Sequence, residues 1–127
     1  MIKDVFSWQL NKNHTRYYTV EVWIYDTIEE MIESYRGRGK GFVTDGNVGV
    51  EAMFIPSNCN GRFIGSLRFG KDKLTMENII HESFHAGIEL MRHMGRRMSE
   101  RYNEKIVDAS AQLANMLLNN YKELINE

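Results

Sequence analysis

The sequence has little that could staple, anchor or link it. Cys59 is the single cysteine of the 127 residues, so no disulfide can close within the chain, and a reducing compartment is the simplest setting for it. Pro56 is the single proline. With no repeat and no low-complexity tract, nothing reads as a proline-rich linker. No apolar run approaches the ~20 residues of a membrane span, and the opening MIKDVFSWQL lacks the apolar stretch of a signal peptide. The expectation is a soluble, unsecreted, cytoplasmic protein without a membrane partner. An excess of charge is absent too: sixteen basic against seventeen acidic residues give a net charge of -1, which removes the bulk electrostatic argument for nucleic-acid binding.

What is present suits one domain over residues 1–127, since folding at this length hides roughly two-thirds of the unfolded chain's surface and needs no staples. From Tyr18 to Ile24 the chain alternates, Tyr18, Val20, Val22 and Ile24 on one face and Thr19, Glu21 and Trp23 on the other, which predicts a strand. Thr27 and Glu30 have the spacing of a capping box, and a short helix to Tyr35 follows, stopped by Gly37. The run GRGKGFVTDGNVG reads as an exposed connection with a small hairpin at Asp45-Gly46. Val48 to Ile55 and Arg62 to Phe69 read as an antiparallel strand pair joined by PSNCNG.

From Leu74 the period becomes helical. Thr75 is the expected N-cap, Leu74 and Ile79 hold the positions of a hydrophobic staple, and Gly95 marks the exit. Met76, Ile80, Phe84, Gly87, Ile88 and Met91 are expected to share the packed face, and His93 reads as polar surface. A last helix is predicted from about Ser99 to Ile125. The fold class is α+β: an antiparallel or mixed sheet of three or four strands packed on these two helices.

Residues 81 to 85, His-Glu-Ser-Phe-His, fall inside the first of them. Residues four apart on a helix lie one turn apart on the same side, so His81 and His85 can converge on one tetrahedral zinc at about 2.0–2.1 Å each. Glu82 is rotated about 100° from His81, where it can face a metal-bound water as general base rather than ligate. His93 lies about 18 Å from His81 along the axis and cannot close this site. A metzincin would place a third histidine where Met91 stands. The next helix offers Glu104 in NEKIVD as third ligand, and Asp108, one turn on, can accept the free N–H of a ligating imidazole.

HESFH followed by NEKIVD resembles the gluzincin pattern, HExxH followed by NExxxD, of thermolysin-like peptidases; the spacing is also similar to that of zinc aminopeptidases, and the size to small phage-encoded or repressor-cleaving HExxH proteins. The resemblance spans about residues 75 to 110. It implies one zinc per chain on His81, His85 and Glu104, with Glu82 as catalytic base and Asp108 orienting a ligating histidine. Thermolysin-like enzymes steady the reaction's tetrahedral intermediate with a histidine or tyrosine from a second helical domain that this chain is too short to contain. Tyr102, Tyr121 and His14 are the substitutes to consider. The aminopeptidase exopeptidase motif is missing, so the substrate stays open.

The expected function is therefore a zinc metallopeptidase acting on a peptide or protein substrate. If the Arg62 to Phe69 strand lies at the sheet edge, Ile64, Gly65 and Ser66 would line a substrate strand. The alternative is a non-catalytic zinc-binding or regulatory protein that recognises a partner on the same scaffold. Arg92, Arg96, Arg97 and Arg101 cluster near the inter-helix turn, where cations complement a helix C-terminus, and nucleic acid is not the expected partner.

Overall fold

The computed structural model describes residues 1–8, 18–36, 51–58, 61–95 and 100–126, with the side chains of 100–102 outside that description. Cys59, His14, Arg96, Arg97, the connection at 37–49 and the predicted hairpin at Asp45-Gly46 fall outside the described residues. The fold is mixed α+β. Four strands, β1 (Ile2–Trp8), β2 (Tyr18–Tyr25), β3 (Ala52–Pro56) and β4 (Phe63–Gly70), form a sheet in the order β1-β2-β4-β3. β1 runs antiparallel to β2, β2 parallel to β4, and β3 antiparallel to β4. Among the described residues no helix is long and apolar enough to cross a membrane.

The alternation in β2 works as its spacing requires. Val20, Val22 and Ile24 are fully buried in the main core, while Trp23 packs in a second cluster on the opposite face with α1 (Ile28–Arg36). That second face holds a buried guanidinium: Arg68 donates to Ser66 Oγ at 3.1 Å and to the Tyr25 hydroxyl at 3.2 Å, with the Trp23 ring 4.0 Å beneath its charge. Stacking on an aromatic face lets Arg68 stay buried with no carboxylate partner among the described residues. Thr27 caps α1 as expected, its Oγ1 accepting from Glu30 N at 3.1 Å, which is the first half of the predicted capping box.

Strand β1 was not legible in the sequence. It alternates half-buried and exposed residues as a strand should, but Asp4 occupies an inward position and breaks the apolar pattern. The Tyr121 hydroxyl, donating to Asp4 at 2.5 Å, makes a carboxylate tolerable there.

The main core lies between the sheet and two antiparallel helices, α2 (Met76–His93) and α3 (Glu100–Asn120). Thr75 caps α2 by accepting from Asn78 N at 3.1 Å, and both staple residues, Leu74 and Ile79, are fully buried. The packed face of α2 corrects the expected one in part: Gly87 and Met91 are buried, but the row starting at Met76 is not. Ile79, Ala86 and Leu90 are fully buried on the core side, whereas Met76, Ile80 and Phe84 are exposed by about half. Apolar residues surround much of this helix, so periodicity alone could not choose which row meets the core. The small residues settle it. A Cβ on Gly87 would meet Ser110 Oγ at 2.2 Å and the Ile106 carbonyl at 3.2 Å, so α3 crosses α2 there at near-backbone contact. The buried hydroxyls of Ser83 and Ser110 have no hydrogen-bond partner.

α3 ends at Asn120, before the predicted Ile125, because the chain is drawn back to the start of α2. Asn126 N donates to the Leu74 carbonyl at 2.8 Å, and its side-chain amide to the Lys71 carbonyl at 2.6 Å. β4 is also not the edge strand. It is flanked by β2 and β3, so Ile64, Gly65 and Ser66 lie inside the sheet and cannot pair with a substrate; the strand beyond them is β3.

The crossing predicts a specific packing defect. Gly87→Ala should lower unfolding free energy by about 1–3 kcal/mol through overpacking. Adding Ser110→Ala, which removes the closest atom, should restore more than half of the loss, as read by urea denaturation of the two variants. Equal stability of the single variant and the parent would show that the helices do not meet there.

Candidate metal centre

The crossing at Gly87 sets α2's rotation and so the outlook of its polar residues. Each residue advances the helix by about 100°, so with Gly87 toward α3 and Ala86 toward the sheet, His81 and His85 turn to the open side. Both are exposed. Their Nε2 atoms lie 3.3 Å apart, with ring centroids 4.9 Å apart and planes at 71°. Two nitrogens bound to one tetrahedral zinc at 2.0–2.1 Å stand about 3.3–3.4 Å from each other, so the imidazole pair already has the span of one coordination edge.

Glu82 faces inward. It is 5% exposed, and its Oε2 is buried with no hydrogen-bond partner. Burial raises the carboxyl's pKa above the ordinary range, and the neighbouring His81 opposes that rise. The pKa of His85 is lowered, first by burial and then by repulsion from His81, which favours the neutral imidazole that a metal requires. One donor atom from each of His81, Glu82 and His85 falls within 4.8 Å of the others, a group able to hold a metal ion. The imidazole spacing and the unpartnered Glu82 carboxylate both fit a metal ion.

Other residues singled out in the sequence lie elsewhere. Glu104 and Asp108 are exposed on α3 and outside the three-residue group. Because Gly87 opposes Ile106 and Ser110, antiparallel packing puts Glu104 level with the turn after Gly87, several residues beyond His85. An apolar groove of about 330 Å³ lies between the helices, with Val107 and Ala111 on one wall and Ile80 and Phe84, each next to a histidine of the pair, on the other; Glu104 is not among the residues that line it. Tyr121 is buried, with its hydroxyl donating to Asp4, and its pKa is pushed far up, first by burial and then by that carboxylate. His14 and the Tyr102 side chain lie outside the described residues.

His93 is not simple polar surface. Its side chain is 5% exposed; Nδ1 donates to the Gly61 carbonyl at 2.9 Å, and Nε2 faces Glu89 at 3.5 Å. At the helix's other end, Asn78 donates to Glu51 at 3.4 Å. These two ties lay the segment carrying β3 alongside α2, past the histidine pair. The signal was present as a four-residue repeat, His81, His85, Glu89, His93, but only the first pair has a recognised motif.

Two outcomes are expected. His81→Ala and His85→Ala should each lower the metal that the chain retains after loading with divalent ions, as read by elemental analysis. In metal-free protein, Glu82 binds its proton more tightly folded than unfolded, so its contribution to stability falls as pH rises from about 4.5 through the raised folded value. Metal-free Glu82→Gln should therefore melt above the parent at pH 7, and the gap should close by about pH 4. A gap independent of pH would remove the buried-carboxylate explanation. Comparisons of the chain with protein-family models, with curated proteins and with solved structures give no match.

Proposed function

We propose that the chain is a zinc-dependent peptidase of gluzincin type, with His81 and His85 as ligands, Glu104 of α3 as the third ligand, and Asp108 steadying a ligating imidazole. One observation carries the reading: beside a histidine pair at tetrahedral spacing stands a buried carboxylate with an unspent oxygen. A purely structural metal site has no use for such a group, whereas hydrolysis requires one.

A zinc ion bound there supplies a Lewis acid that polarises a carbonyl and lowers the pKa of a bound water toward ~7. Glu82 would do the proton work through its carboxylate, accepting the water's proton as the oxygen attacks the peptide carbon and passing it to the departing amine nitrogen. β3, the last strand of the described sheet, runs past the histidines and offers main-chain pairing to an extended substrate.

The alternative, a non-catalytic metal-binding or regulatory protein, draws support from the position of Glu104 outside the group. Two variants divide the readings. Glu82→Gln should keep zinc yet lose at least about 10²-fold in peptide-cleavage rate. Glu104→Gln should lower zinc affinity sharply if that carboxylate ligates. Full cellular activity of zinc-loaded Glu82→Gln would leave the binding protein as the better reading, and unchanged zinc affinity in Glu104→Gln would remove Glu104 from the ligand set.

A further inference from the structure

One turn past His85, the open side of α2 meets a polar pocket of about 270 Å³ lined by Pro56, Ser57, Asn58, Glu89, Arg92 and His93. Its one carboxylate is already engaged. Glu89 is buried, with Oε2 accepting from Arg92 at 3.0 Å and Oε1 facing His93 Nε2 at 3.5 Å. His93 is held on its other side by the Gly61 carbonyl. What faces solvent is donor-rich: the Arg92 side chain is 70% exposed and, among the described residues, spends only one N–H group, on Glu89, and Asn58 is exposed beside it.

The pocket lies at the C-terminal end of β3. A peptide adding to β3 pairs somewhat better antiparallel than parallel. Antiparallel pairing sends the residues before the scissile bond toward Asn58 and Arg92. Glu89 and His93 follow His85 by four and eight residues, roughly 6 to 12 Å of helix axis, which an extended peptide crosses in about two to four residues.

We propose that this pocket selects a carboxylate, the side chain of an acidic residue lying two to four positions before the scissile bond. Arg92 is the residue that binds it and Asn58 a second donor, while Glu89 and His93 hold Arg92 and the Gly61 turn in place. The identity of the ligand as a peptide rests on the peptidase reading above.

The test uses the full zinc-loaded chain and fluorogenic peptides carrying Glu, Ala or Lys at the second, third or fourth position before the bond cleaved in the Ala peptide. In parallel, the same peptides are titrated by fluorescence anisotropy against zinc-loaded Glu82→Gln, with Glu, Ala or Lys scanned along the sequence. Glu at one position should raise kcat/KM and affinity about tenfold over Ala, as a charge-assisted contact does, and Lys should lower both. Arg92→Gln and, separately, Asn58→Asp should bring the Glu-to-Ala ratio toward one while zinc content and circular dichroism hold. Ratios within about twofold at every position in both assays, or a ratio that survives in both variants, would overturn the assignment. If no peptide is cleaved but Glu peptides still bind Glu82→Gln about tenfold more tightly, the pocket stands and the peptidase reading falls.

Discussion

The close approach of two helices at Gly87 governs the geometry of everything around the histidine pair. A helix can be rotated about its axis at little cost to its own hydrogen bonds, so its setting must come from its neighbours. Here α3 presses its Ser110 side and the Ile106 carbonyl against a position without a Cβ, while Ile79, Ala86 and Leu90 sink into the sheet-side core. Those two contacts leave one free sector, and His81 and His85 fill it. A wider side chain at 87 would separate the helices and turn the imidazoles relative to β3.

The same setting forces Glu82 inward, where water cannot solvate it. An unpartnered carboxylate oxygen is among the more costly groups to bury, and the fold holds it there by packing that extends well beyond the residue itself. Arg68 meets its burial differently, with an aromatic ring beneath and hydroxyls at its edge. Arg68 is thus satisfied, while the Glu82 carboxylate, on the other side of the sheet, keeps an oxygen without a partner among the described residues.

How far the sequence could be read follows from where its signals are local. The Thr75 cap, the Leu74–Ile79 staple and the β2 alternation rest on neighbours within a few residues, and each appears in the fold. The HESFH spacing is local too, which is why the imidazole pair was legible. β1 was hidden because Asp4 is acceptable only once Tyr121 arrives from the far end of the chain. The buried row of α2 and the interior position of β4 depend on which partners pack against them, and no short window contains that information. His93 was misread for the same reason: its partner Gly61 sits in a turn 32 residues earlier.

Asn126 gives the site an order of completion. During synthesis, α2 can coil as soon as its own residues are free, but the Leu74 and Lys71 carbonyls just before it gain their Asn126 donors only when the last described residues have emerged. The Trp8 indole likewise waits for the Ala109 carbonyl. Contacts so distant in sequence form late, since long loops must close first. The nascent chain therefore carries its histidines and Glu82 through translation before the framework that fixes them is complete, and a metal ion captured in that interval would meet a looser set of side chains than the finished protein presents.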